Sequence, residues 1–80
     1  EPILSKTISF RTVESEIAKP LKQVQEKNKD VDIGSYPFFR KGKIGVSIVL
    51  TSEDQSKIDK CSSQILEFIK EKKIEILERD

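Results

Sequence analysis

The sequence contains no histidine and a single cysteine, Cys61, among its 80 residues. A zinc site of the Cys/His type needs several such ligands, and an internal disulfide needs a second cysteine. A catalytic triad with histidine as its base is excluded in the same way. A zinc-binding domain of the Cys/His type, a domain with an internal disulfide and a hydrolase with a histidine-based triad are therefore ruled out.

The sequence also lacks a strong net charge and a long hydrophobic run. Fifteen Lys and Arg against fourteen Asp and Glu leave a net charge of +1, so no overall field attracts nucleic acid or anionic lipid. The most apolar window, residues 46–50, is far too short to span a bilayer, and no signal peptide is apparent. We expect a cytoplasmic protein, with the mitochondrion as the alternative compartment, and neither nucleic acid nor membrane as partner.

Eighty residues form one small domain, residues 1–80, which buries only about 60% of the surface of its unfolded chain. Such a domain is expected to be marginally stable and to depend on a neighbour. The chain begins with Glu1 and Pro2 rather than methionine, which favours a piece of a longer protein.

The first part of the chain predicts a strand, a helix and a second strand. Residues 4–11 alternate between apolar and polar, which is typical of a half-buried strand. Residues 14–28 carry apolar side chains at helical spacing, with Pro20 acceptable only near the first turn. Residues 31–33 then predict a short strand that runs into a loop over residues 34–37.

The second part predicts a hairpin and a helix. Residues 40–43 form a polar turn, and residues 44–51 alternate cleanly as a strand. Ser52 and Gln55 have the spacing of a capping box for a helix that ends near Lys72. Residues 74–77 form either a last strand or a helix extension. The order βαββα, with a possible last strand, predicts an α+β two-layer sandwich that is KH-like or ferredoxin-like.

The predicted loop is the most unusual segment, because glycine and proline flank an aromatic residue. It is a candidate contact site for a ligand or a neighbouring domain, formed by Gly34, Ser35, Tyr36 and Pro37. The alternative is a strand end with a bulge, in which Tyr36 packs on the sheet edge.

The hairpin turn carries three cations that are candidates for contact with a phosphate or an RNA backbone, namely Arg40, Lys41 and Lys43. A solvated, lysine-rich tip that discourages edge pairing is the commoner arrangement. Residues 42–45 also spell the GxxG of KH domains, but that loop joins two helices, whereas these residues lead into a strand.

No catalytic or metal-binding set is predicted. Cys61 lies on the apolar face of the second helix, where a core role is expected. Glu14 and Glu16 suit a helix start, and Asp30 and Asp32 suit a turn, so neither carboxylate pair indicates a site.

Several segments resemble the small C-terminal domain that follows the molybdopterin-binding-like domain in eukaryotic-type FAD synthases and CinA-family proteins. The resemblance rests on the strand and loop of residues 31–37 and on the strand of residues 45–50. Residues 14–21 match a Glu-x-x-Ile-Ala-x-x-Leu pattern, and residues 50–53 read Leu-Thr-Ser-Glu before the last helix. The similarity covers about residues 6–70.

The resemblance implies a non-catalytic accessory domain that packs against the molybdopterin-binding-like domain of its own chain, with homo-oligomers as a further expectation. The parent protein would hydrolyse pyrophosphate bonds of FAD or ADP-ribose-like compounds with Mg or Co and potassium, and this domain would hold no cofactor. Two alternatives stay open: a KH-like nucleic-acid-binding module, and a ferredoxin-like module that senses a ligand between protomers.

Overall fold

The computed structural model describes residues 2–79, which form six elements in the order βαββαβ. They are β1 (Leu4–Arg11), α1 (Glu14–Lys27), β2 (Asp32–Arg40), β3 (Lys43–Ser52), α2 (Gln55–Glu71) and β4 (Glu75–Arg79). The strands form one sheet in the order β2-β3-β1-β4, and all neighbouring strands are antiparallel. This is the ferredoxin-like arrangement, and it confirms the predicted α+β two-layer sandwich. The segment after α2 forms the last strand.

Both helices pack on the same face of the sheet and enclose one hydrophobic core. Ile8 of β1 lies directly opposite Ile48 of β3, and Phe10 opposite Val46. The helices cover this face with six residues that are all buried: Ile17, Val24, Ile58, Cys61, Ile65 and Ile69. The core role expected for Cys61 is confirmed. Within residues 2–79, neither helix is long and apolar enough to cross a membrane.

Pro20 lies in the interior of α1, so the expectation that it sits near a first turn was wrong. The helix begins at Glu14 and continues through Pro20 to Lys27. A proline at this position cannot donate a hydrogen bond to the preceding turn, which weakens the helix. Ile17 and Val24 lie on either side of Pro20 and are both buried in the core, and this burial offsets the loss.

The start of α2 differs from the predicted capping box. Asp54 is the N-cap residue, and its Oδ1 accepts a hydrogen bond from the backbone N–H of Ser56 at 2.9 Å. Ser52 is instead the last residue of β3, where its Oγ accepts from the N–H of Asp54 at 3.2 Å. The Gln55 amide donates forward to Asp59 Oδ1 at 3.0 Å. The extended backbone of Asp54 places its short carboxylate under the first free amide groups of the helix.

The second strand is much longer than predicted, and the expected loop at residues 34–37 was wrong. Each residue from Asp32 to Arg40 pairs with a residue of β3. Pro37 is tolerated because β2 is an edge strand. The N–H of Ile33 points away from β3 towards Gln25 Oε1 at 3.1 Å, so the N position of Pro37, four residues further on, faces outward as well.

The side chain of Gln25 in α1 forms hydrogen bonds with backbone groups at the outer edge of β2, near the start of the strand. Its Nε2 donates to the carbonyl oxygen of Val31 at 2.7 Å and to that of Asn28 at 3.1 Å, while its Oε1 accepts from Ile33. The side chain thus serves β2 as a substitute for a neighbouring strand, and it holds α1 against the sheet.

Candidate interaction surface

The face of the sheet opposite the helices carries small and aromatic side chains. Ser9 and Ser47 face each other across β1 and β3, and their hydroxyl oxygens are 2.8 Å apart. Residues that pair across strands share a face, so the same side of the sheet also carries Thr7, Val49, Tyr36 and Phe38. We call this side the open face, since no element among residues 2–79 covers it.

Two aromatic rings of β2 lie on the open face against glycines. The ring of Phe38 covers Gly45, its partner on β3, so closely that a Cβ on Gly45 would lie 2.4 Å from Phe38 Cζ. The ring of Tyr36 leans back over Gly34 in its own strand, where an added Cβ would lie 2.9 Å from Tyr36 Cε2. The glycines therefore provide the room in which the rings lie along the sheet.

The turn between β2 and β3 is a tight two-residue hairpin. Lys41 and Gly42 both have positive φ, 52° and 77°, as a type I′ turn requires. Arg40, just before the turn, places its guanidinium 4.6 Å from the centroid of the Phe38 ring. The predicted polar turn is confirmed, and it brings Arg40, Lys41 and Lys43 together at one tip.

The other side of this hairpin exposes two large apolar side chains. Phe39 and Ile44 are directly paired across β2 and β3, with 72% and 48% of their surfaces exposed. Further along the same face of β3, Val46, Ile48 and Leu50 are fully buried by the helices. The hairpin thus extends beyond the helix layer.

The four residues predicted as a contact loop do not share one surface. Gly34 and Tyr36 lie on the open face, whereas Ser35 and Pro37 alternate to the helix side. Ser35 donates a hydrogen bond from its Oγ to Glu14 Oε1 at 2.7 Å, beside a groove of about 220 Å³ between α1 and β2. Tyr36 is 59% exposed, so its ring is accessible on the open face. A contact role for these residues stays a prediction, as does phosphate contact by the three cations of the turn.

The pKa values of Asp54, Cys61 and Lys57 are shifted by contacts or burial within the fold. Hydrogen bonds from the side chain and then the backbone N–H of Ser56 lower the pKa of Asp54, while burial raises the pKa of the Cys61 thiol. Lys57 contacts Asp30 at 2.7 Å, and this contact raises the pKa of Lys57. Over residues 2–79, no three Asp, Glu or Cys side chains form a group that could hold a metal ion.

Sequence reasoning missed the three residues that give the hairpin its surfaces: Phe38, Phe39 and Ile44. The signal was present, because two consecutive phenylalanines in a strand must point to opposite faces, and only one face can join the core. Reading residues 34–37 as a loop concealed it, since a loop has no regular alternation.

The comparisons with known proteins identify the family. The family model described as "FAD synthase, middle domain" matches residues 2–78. No curated protein matches. Among solved structures, the "De novo designed protein Foldit4" is similar with a TM-score of 0.74 and 22% identity, over 99% of this chain and 94% of that one, which supports the fold alone. Since the family model spans nearly the whole chain, the protein belongs to the FAD synthase middle-domain family.

Proposed function

We propose that the chain is a non-catalytic accessory domain of an FAD synthase-like protein, in which it packs against a molybdopterin-binding-like domain. The match of residues 2–78 to an FAD synthase middle domain carries this proposal. The description as a middle domain supports a position between other domains rather than at the C-terminal end. The exposed apolar side chains of the hairpin also support it, because such side chains are typical of surfaces that meet another protein.

The chemistry of the parent protein then resides in the neighbouring domain. That domain would hydrolyse a pyrophosphate bond of FAD or of an ADP-ribose-like compound, with Mg or Co and potassium as its ions. The CinA-like relationship and the cytoplasmic or mitochondrial location belong to the same proposal. The accessory domain would frame the active cleft or pair subunits.

An assay that separates the domain from its neighbour tests this division of labour. The 80-residue chain and the complete FAD synthase-like protein are each incubated with FAD or ADP-ribose, Mg or Co, and potassium. We expect hydrolysis by the complete protein and none by the chain, whose folded state is checked by circular dichroism. Hydrolysis by the folded chain alone would contradict the accessory role.

A further inference from the structure

We propose that the outer edge of β2 is a strand-pairing surface for a second copy of the chain, and that the prolyl ring of Pro37 keeps this surface closed. The outer edge is the side of β2 that faces away from β3. The inference is independent of the proposed function, because it concerns only backbone groups and side chains of this chain.

Alternate residues of β2 direct their backbone polar groups outward. The N–H of Ile33 points away from β3 and donates to Gln25 Oε1. In an antiparallel strand this orientation repeats at every second residue, so Ser35, Pro37 and Phe39 also face outward. In the part of the chain that the structure describes, no strand lies beside this edge. Ser35 and Phe39 therefore offer the N–H and carbonyl groups that an added strand would use.

One register between two copies uses all the outward residues that remain. Gln25 already occupies the start of the edge, and the turn begins at Lys41. An added strand is therefore limited to the outward residues from Ser35 to Phe39. Two copies of one edge related by a two-fold axis in this way pair antiparallel, and the register that includes all three outward residues places residue 37 opposite its own copy. Ser35 of each copy then lies opposite Phe39 of the other.

The side chains are complementary in this register. On the open face, Tyr36 would lie opposite Phe38 of the second copy, and aromatic pairs across strands are favourable. On the helix side, Phe39, of which 72% is exposed, would lie beside the groove of about 220 Å³ that Ser35 lines. A two-fold contact is closed, so pairing would produce a dimer and not an open chain of molecules.

Pro37 prevents this pairing at its centre. A prolyl ring carbon takes the place of the N–H hydrogen, so a carbonyl oxygen at the usual ladder distance of about 2.9 Å from the nitrogen would overlap the ring. Proline on an edge strand is a common protection against such pairing, and the ring equally excludes a strand from another domain. Homo-oligomers of the native chain then require a different surface.

Sedimentation equilibrium of the 80-residue chain tests the closed edge. Pro37→Val and Pro37→Thr both restore an N–H on a β-branched residue suited to strands, and their comparison separates the N–H from added apolar surface. At about 1 mM chain, we expect the weight-average mass of both variants to be at least about 1.5-fold that of the parent, which corresponds to a dimer Kd of about 1 mM or tighter. Circular dichroism checks that each variant is folded.

Pro37→Val combined with Ser35→Pro is the matched control. It moves the proline to another outward position of the same edge and keeps valine at position 37. The mass should return to that of the parent, because the ring again takes the place of an N–H that pairing needs. A double variant that still associates would contradict pairing through this edge.

Amide hydrogen exchange identifies the surface that associates. In Pro37→Val at about 1 mM, the N–H groups of Ser35 and Phe39 should exchange at least about twofold more slowly than in the parent, because pairing protects them in the associated chains. The amides of Tyr36 and Phe38, which already face β3, should change little. A mass equal to that of the parent in both single variants, or association without slower exchange at Ser35 and Phe39, would overturn the proposal.

Discussion

Gly34 and Gly45 both lie beneath an aromatic ring of β2. They differ in whether the atoms nearest to an added Cβ could move aside. The three atoms nearest to a Cβ on Gly34 would all belong to the Tyr36 side chain, which is largely exposed and can rotate away. A Cβ on Gly45 would meet the Phe38 ring and also the backbone carbonyl oxygen of Phe10 at 2.8 Å. A backbone atom in the central strand cannot yield without disturbing the ladder.

Gly45→Ala should therefore destabilise the domain by about 1–3 kcal/mol, as overpacking of an ordered site does. Gly34→Ala is the matched control and should change the free energy of unfolding by no more than about 0.5 kcal/mol. Urea denaturation of both variants measures the difference. An equal decrease in the free energy of unfolding for both variants would mean that the contact with the Phe10 carbonyl oxygen is not what destabilises Gly45→Ala.

At the scale of elements, the structure depends on side chains that complete the ends and edges of backbone hydrogen bonding. Asp54 supplies an acceptor for the first turn of α2, and Gln25 supplies both a donor and an acceptor for the edge of β2. Each role depends on a single side chain at one position. Neither role therefore produces a repeated pattern in the sequence.

Asp54→Ala should lower the melting temperature at neutral pH, because the N–H of Ser56 loses its acceptor. The folded-state pKa of Asp54 lies below its ordinary value of 3.8, so the carboxylate stabilises the fold above that value. This stabilisation is lost as the pH falls through the lowered pKa. The gap in melting temperature between the variant and the parent should therefore shrink from about pH 7 to about pH 2.5.

Thermal unfolding followed by circular dichroism at the two pH values checks this expectation. Glu53→Ala removes the neighbouring exposed carboxylate and is the control for a general charge effect. A gap equally large in Glu53→Ala, or one that widens in acid, would contradict a capping role for Asp54.

Gln25→Ala should expose the start of β2 by removing its substitute for a neighbouring strand. The N–H of Ile33 and the carbonyl of Val31 both lose their partner, for which we expect a cost of about 1–3 kcal/mol. Amide hydrogen exchange should accelerate most at Ile33. Gln23→Ala, at an exposed site of the same helix, is the control, and similar exchange at Ile33 in both variants would contradict the edge role.

At the scale of the whole molecule, the helix layer is shorter than the sheet. Ile44 and Ile48 lie on the same face of the same strand, but the helices cover only Ile48 completely. A domain of this length has a total stability of about 4–12 kcal/mol, so the loss of one buried side chain is a large part of the total. Apolar residues beneath the helices are therefore essential to folding, whereas those beyond the end of the helix layer are not.

Ile48→Ala should cost about 2–5 kcal/mol, which is a large part of that total. Ile44→Ala removes the same atoms from the exposed hairpin and should cost less than about 1 kcal/mol. Urea denaturation compares the two variants. Comparable costs would mean that Ile44 is packed against the helices as closely as Ile48 is.

The periodicity of the sequence was sufficient to predict β1, α1, β3 and α2, because each presents a repeated apolar pattern that only one type of element can bury. The tight turn was also predictable, since Lys41-Gly42 separates two strand-forming runs. These predictions depend on local spacing and on local backbone preferences. Neither depends on which elements pack against each other in the tertiary structure.

Only the tertiary structure decided the length of β2, the identity of the N-cap and the surfaces that remain uncovered. Pro37 ends a strand or continues it depending on whether its missing N–H would have faced a partner, and that depends on the strand order. Phe39 and Ile44 are as apolar as the buried residues beside them. Their exposure follows from where the helices end above the sheet, and that limit is set by packing between elements far apart in the sequence.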